Sequence, residues 1–189
     1  MISTACLLFS CSPTVPDEET AQSVILITVD TLRADALGFA GNTRVRTPTI
    51  DHLAAGGRVF DQAHAHSTVT LPSHANILTG LYPYRHGVRD NLGFTLAEDQ
   101  VTLAERLRDE GFATAAFVAA IPLAAETGLQ QGFEVYDDSL PVGDPSNPFL
   151  MEQRRGSEVV AAARDWWAGH ADRRRFLWVH LFEPHAPYS

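Results

Sequence analysis

Eight residues, Ser23-Val24-Ile25-Leu26-Ile27-Thr28-Val29-Asp30, restrict the fold more than any other part of this chain. They form a continuous apolar, largely β-branched run closed by an acid. A half-buried strand alternates apolar and polar positions. This run has no polar face, so it reads as a strand buried on both sides, as in a parallel sheet flanked by helices. The chain downstream alternates helix-like and strand-like segments. Thr47-Pro48 marks a helix start, with Thr as cap and Pro in the first turn, and Gly56-Gly57 ends it. Residues 58–62 read as a short strand. Residues 73–78 read as a helix terminated by Gly80 and Pro83. Residues 101–110 read as an amphipathic helix, with Leu103 and Leu107 one turn apart and Gly111 as the stop. Two strands follow at 112–118 and 133–136, then a Pro-, Gly- and Ser-rich loop at 140–148. The clearest helix spans 157–170, with Val159, Val160, Ala163, Trp166 and Trp167 on one face and the Trp pair assigned to the core. A further apolar strand covers 176–182. Strands alternating with helices predict an α/β fold with a mainly parallel sheet, formed by residues 23–189 as one domain.

Charge narrows the function classes. The formal net charge is −9, and no basic stripe is present that could neutralise phosphates, which excludes a nucleic-acid partner. The run Arg173-Arg174-Arg175 reads as a solvated corner. Cys6 and Cys11 are the only cysteines, so the folded body has neither a disulfide framework nor a Cys-rich zinc site. Residues 1–22 read as an apolar start and a polar linker. Within them, Leu8-Phe9-Ser10-Cys11 resembles a bacterial lipoprotein box. That predicts a possible lipid anchor on Cys11 and a location in the bacterial cell envelope or periplasm, the alternative being a plain terminus. No apolar run reaches the ~20 residues that a bilayer-spanning helix requires.

Three places can carry chemistry. Asp30 closes a buried strand, and ligands of open α/β sheets gather at the carboxyl ends of strands, so it can hold a metal or simply cap a turn. Thr70 precedes a helix whose start is fixed by Pro72 and Ser73. Free backbone N–H groups and the positive dipole end would attract an anionic ester there. A cation on the Thr70 oxygen would ease loss of its proton and permit attack on sulfur or phosphorus, whereas the ordinary role of such a Thr is a helix cap. His185, held between Pro184 and Pro187 after the last strand, can present an oriented imidazole to a substrate oxygen or leaving group. His180, inside that strand, reads as structural.

Together these segments carry a family resemblance. Residues 24–38, VILITVDTLRADALG, resemble the opening strand and metal loop of sulfatases. Residues 66–88, HSTVTLPSHANILTGLYPYRHGV, are similar to the sulfatase signature region. Residues 176–188, FLWVHLFEPHAPY, resemble the family's later strand and Pro-His turn. The resemblance implies membership of the alkaline-phosphatase superfamily and its three-layer α/β/α sandwich, here expected to be incomplete at the C-terminus. It also implies a divalent ion held by oxygen ligands, calcium first, with manganese or zinc as alternatives. Asp30 matches the first metal-ligand acid, and Thr31 falls where many sulfatases have a second Asp. Thr70 falls at the Cys or Ser that is oxidised to formylglycine, and it would also face the metal. His74 replaces the signature Arg. Asn91 matches a substrate-binding Asn of related phosphonate and diester hydrolases, and His185 matches the histidine that contacts the transferred group.

The departures are informative. Oxidation of a threonine would give a ketone, so formylglycine is not expected; the resemblance extends to phosphodiesterases and phosphoethanolamine transferases with threonine nucleophiles, which implies that Thr70 can act directly. Phe117-Val118-Ala119-Ala120 stands where many sulfatases carry a Gly-Lys-x-His segment, which removes two cations. The Asp-His or Asp-Asn pair that completes the metal site in the family is expected beyond Ser189. The resulting expectation is a metal-dependent hydrolase of sulfuric or phosphoric esters acting on a small-molecule or glycan ester. The alternatives are a phosphodiesterase or phosphotransferase using Thr70 directly, or a catalytically silent envelope binding protein. An unpaired sheet edge and exposed apolar surface are also expected.

Overall fold

The computed structural model describes residues 23–140 and 154–186. The lipoprotein-like box with Cys6 and Cys11, and nearly all of the expected 140–148 loop, lie outside the described residues. Four strands, β1 (Ser23–Val29), β2 (Ala113–Phe117), β3 (Val135–Asp137) and β4 (Arg175–Leu181), form one sheet in the order β1-β4-β2-β3. Every neighbouring pair is parallel. The helices are α1 (Pro48–Gly56), α2 (Thr70–Thr79), α3 (Pro83–His86), α4 (Leu103–Asp109) and α5 (Gly156–Gly169).

The two central strands, β4 and β2, form the core, since their residues are buried on both faces apart from the two ends of β4. On one face Phe176 and Trp178 meet Phe133 and Tyr136, and Trp178 lies 5.6 Å from the His74 ring of α2. On the other face α5 packs against β4 and β2. Arg175, of the same parity as Leu177 and Val179, stacks 3.9 Å from the Trp167 ring of α5. Helices therefore lie on both faces of a parallel sheet, the three-layer arrangement expected from the sequence.

Several local expectations are revised by tertiary context. The run 23–29 is not buried on both faces, because Ile25 and Ile27 are 52% and 56% exposed. Among the described residues β1 is an edge strand, and α5 covers its neighbours rather than β1 itself. Residues 58–62 form no strand, and Phe60 is 71% exposed. Thr47 sits at the N-cap of α1 without capping it. Its hydroxyl accepts from Gly38 N–H and donates to Asp51, which ties the loop after β1 to the helix. Val160 faces outward at 39% exposed, although Val159 and Ala163 are buried. The Arg173–Arg175 run is more than a solvated corner. Arg173 pairs with Glu134, Arg174 lies over Phe112 and donates to the Glu110 carbonyl, and Arg175 holds Trp167. By contrast α4 forms within the expected 101–110, starting at Leu103 behind the fully formed Thr102–Glu105 capping box.

An edge strand with an apolar exposed row is a template for pairing between molecules. The 189-residue chain in isolation is therefore expected to self-associate, with the double variant Ile25→Thr, Ile27→Lys markedly lowering its light scattering. Clean monomeric behaviour of the unsubstituted chain with a cooperative melt would count against this reading.

Candidate active site

The site forms where β1, β4 and α2 converge. Strand β1 delivers Asp30 at its carboxyl end, and the Asp30 N–H donates to the Leu181 carbonyl of β4 at 2.9 Å, continuing the ladder past the strand. The next residue, Thr31, has φ 53°, a left-handed backbone that turns the chain sharply away. Helix α2 begins at Thr70 itself, earlier than the expected 73, with Val69 at the N-cap position. Thr70 is therefore not a cap. Its hydroxyl donates instead to Asp30 Oδ2 at 3.2 Å, across forty residues of sequence. Gly80 closes the helix with φ 69°, and its N–H returns to the Asn76 carbonyl.

The first turn of α2 is less open to anions than its sequence suggests. Leu71 N–H donates to Asn91 Oδ1 at 2.8 Å, Pro72 has no N–H, and Ser73 N–H is bonded to the Val69 carbonyl. At most the Thr70 N–H remains for a ligand, along with the dipole of the helix. Asn91 thus reaches this turn from the loop after α3 and serves as a remote cap, with its carbonyl oxygen committed to the helix.

Behind Thr70 lies a pair of buried imidazoles. His74 Nδ1 is 2.8 Å from the Thr70 carbonyl. A carbonyl can only accept, so Nδ1 carries the proton and Nε2 is a bare lone pair, buried without a hydrogen-bond partner. Burial pushes this imidazole down to about 4, helped by the nearby His180 ring and resisted by the Thr70 carbonyl and Asp30. His74 is therefore neutral near pH 7 and does not replace the charge of the signature Arg. His180 of β4, completely buried, meets His74 edge-on at 4.9 Å. Its Nε2 lies 3.8 Å from Asp30 Oδ2. Burial alone would raise the Asp30 carboxyl, but His180, His74 and the Thr70 hydroxyl together hold it below the usual carboxylate range.

These groups border a cleft of about 550 Å³ lined in part by Asp30, Thr31, Ser67, Thr68, Thr70 and His74. Among the described residues no lysine or arginine lines it. Residues Phe117 to Ala120 are buried, so that segment supplies no cation either. An anionic ester would meet an ionised carboxylate with no compensating positive side chain, an arrangement suited to a divalent ion. Asp30 and Thr70 would furnish two oxygen donors. Among the described residues no group of three or more His, Cys, Asp or Glu side chains could hold a metal.

Of the residues expected from sequence, Asp30, Thr70 and His74 meet in this cleft. His185 does not line it. It occupies the turn after β4, stacked on Phe182 at 4.3 Å with its Nδ1–H donating to the Ala186 carbonyl. His180 was assigned to structure alone, and the fold sets it 3.8 Å from Asp30 Oδ2. The signal was its place near the carboxyl end of an apolar strand, but its neighbour depends on strand order.

A family profile described as Sulfatase matches residues 22–189. The human protein "Steryl-sulfatase" is 39% identical over 103 residues, covering 49% of this chain and 18% of that protein. "N-acetylgalactosamine-6-O-sulfatase" of Bacteroides thetaiotaomicron is 34% identical over 119 residues, covering 57% of this chain and 23% of that protein. The chain therefore spans about a fifth of the length of these curated relatives. Among solved structures, one protein "in complex with its substrate D-Glucosamine-2-N, 6-O-disulfate" superposes with a TM-score of 0.73 at 22% identity, over 88% of this chain and 35% of that one. The phosphonate monoester hydrolase of Agrobacterium radiobacter gives 0.68 at 24% identity, over 87% of this chain and 41% of that one.

The buried His74 carries a pH signature. Its imidazole titrates near 4 when folded and near 6.5 when unfolded, so between those values the unfolded chain binds the extra proton. Stability should rise with pH across that window and be lost as pH falls through it, by up to roughly 3 kcal/mol. Asp30 adds a loss only lower down, because its folded value lies below that of a free carboxylate. Urea midpoints between pH 4.5 and 7 should show a clear slope that flattens in His74→Gln; an identical slope in both proteins would contradict the assignment.

Proposed function

This chain belongs to the sulfatase family, and from that premise we propose that it carries the nucleophile and the first metal-ligand acid of a hydrolase of sulfuric esters. One observation carries the reading: the Thr70 hydroxyl donates to Asp30 Oδ2 at 3.2 Å, at the carboxyl end of a parallel strand and the start of a helix. With its proton directed at the carboxylate, Thr70 Oγ1 keeps its lone pairs for an electrophile. A secondary alcohol cannot become the formylglycine aldehyde, so the hydroxyl itself attacks. The Thr70 O–S bond forms as the bond to the alcohol breaks, the Oγ1 proton passes by way of Asp30 to the departing alcohol oxygen, and water later cleaves the Thr70 O–S bond, releasing sulfate and restoring the hydroxyl.

Asp30 and Thr70 would hold a divalent ion, with further ligands from outside the described residues. The oxygen donors favour calcium, with manganese or zinc as alternatives. Such an ion would lower the pKa of the Thr70 hydroxyl and neutralise charge on the ester. His185 and Asn91 remain candidates for contact with the transferred group, although Asn91 could offer only its amide N–H. The named substrates of the relatives support a steroid-like small molecule or a glycan as the sulfated alcohol. The lipoprotein-like box ending at Cys11 supports an envelope location with a lipid on that cysteine.

A second reading, hydrolysis or transfer of a phosphoryl group by the same residues, is favoured by the fold shared with the phosphonate monoester hydrolase. A silent binding protein is the third.

In the complete protein, Thr70→Ala should lower kcat by on the order of 10³-fold or more, while Thr70→Ser keeps part of the activity. Equal turnover in both variants would sink direct attack. Parallel assays on sulfate and phosphate esters separate the first two readings. Absence of divalent-ion binding by calorimetry would favour the third.

A further inference from the structure

We infer that His180 is a positioning residue for this site, donating from Nε2 to Asp30 Oδ2 and so fixing the carboxylate on which Thr70 is aligned. The inference rests on the reading of Asp30 and Thr70 as the reactive pair. His180 interrupts an otherwise apolar stretch of β4, Phe176-Leu177-Trp178-Val179, and is completely buried. Both of its ring nitrogens lack a hydrogen-bond partner among the described residues. An unpaired polar group in a core costs free energy that a leucine at the same place would not, so its presence calls for a partner that engages it.

Two acceptors adjoin the ring. One is the carboxylate of Asp30, 3.8 Å from Nε2, where a shift of under ~1 Å reaches hydrogen-bond range. The other is His74, whose only proton is spent on the Thr70 carbonyl. A carboxylate beside Nε2 favours the proton on that nitrogen, because a lone pair there would face a negative oxygen. Asp30 Oδ2 would then receive two donors, the Thr70 hydroxyl and His180. That anchors the side chain from both sides and leaves Oδ1 uncommitted to either. The parallel register supplies the height, since Thr28 pairs with His180 and places Asp30 just beyond it.

The test uses the complete protein labelled with 15N-histidine. Long-range 1H–15N spectra without added metal should show His180 as the Nε2–H tautomer, with its Nε2 resonance moving in Asp30→Asn. An Nδ1–H tautomer, or an unmoved resonance, overturns the inference. Kinetically, His180→Leu should lower kcat 10- to 100-fold with KM within about twofold, the size of loss typical for groups that orient a ligand. His180→Gln retains an N–H at similar reach and should recover part of it. Wild-type turnover in His180→Leu, or equal losses in both variants with unchanged melting, overturns it as well. If His180→Leu does not fold, the tautomer and the Asp30→Asn response decide. A wild-type protein inert to every ester would defeat the proposed function, while the spectra would still report the contact.

Discussion

The parallel pairing of β1 with β4 is the contact on which the site depends. Its register runs from Ser23 against Arg175 to Val29 against Leu181, and it continues through the Asp30 N–H to the Leu181 carbonyl. Strands so far apart in sequence become neighbours only when the intervening helices and strands have been laid over the sheet. Once paired, they set Asp30 just beyond His180 at the carboxyl end of the sheet, where α/β folds collect ligands. Trp178 extends the same logic: its indole N–H donates to Thr28 of β1, and its ring supports His74 of α2. The helix that carries Thr70 is thus seated on the same two strands that carry its acceptor.

Electrostatics follow from that seating. Among the described residues the cleft is rich in hydroxyls, holds one ionised carboxylate and has no lysine or arginine on its walls. Two imidazoles stand behind the carboxylate, and burial keeps His74 neutral near pH 7. Of the two, only His180 has a proton to offer Asp30, since that of His74 is spent on the Thr70 carbonyl. The first turn of α2 fits the same picture, because Asn91 and Pro72 remove donors that would otherwise receive an anion directly.

How much of this was legible in the sequence depends on the range of the forces involved. Local chemistry was readable: Gly80 as the stop of α2, Gly111 just beyond α4, and the strands around 113–117 and 175–181. Asp30 and Thr70 were readable as reactive candidates from residue type and position. The hidden part was competition between partners. Thr47 and Thr70 both sit at helix starts, yet their hydroxyls are taken by Gly38 and Asp51 in one case and by Asp30 in the other. A hydroxyl next to a helix start defaults to capping only when no stronger acceptor is folded against it.

The sequence by itself determined an α/β chain of parallel strands and helices, because hydrophobic periodicity and Gly/Pro punctuation act over a few residues. It also singled out Asp30 and Thr70, which the fold brings to 3.2 Å from each other. Tertiary structure alone decided that β4 lies between β1 and β2, that Ile25 and Ile27 face outward, and that His180 stands beside Asp30. Strand order is the physical reason: a buried strand looks the same in sequence whichever neighbours it acquires, and only the packed sheet assigns them.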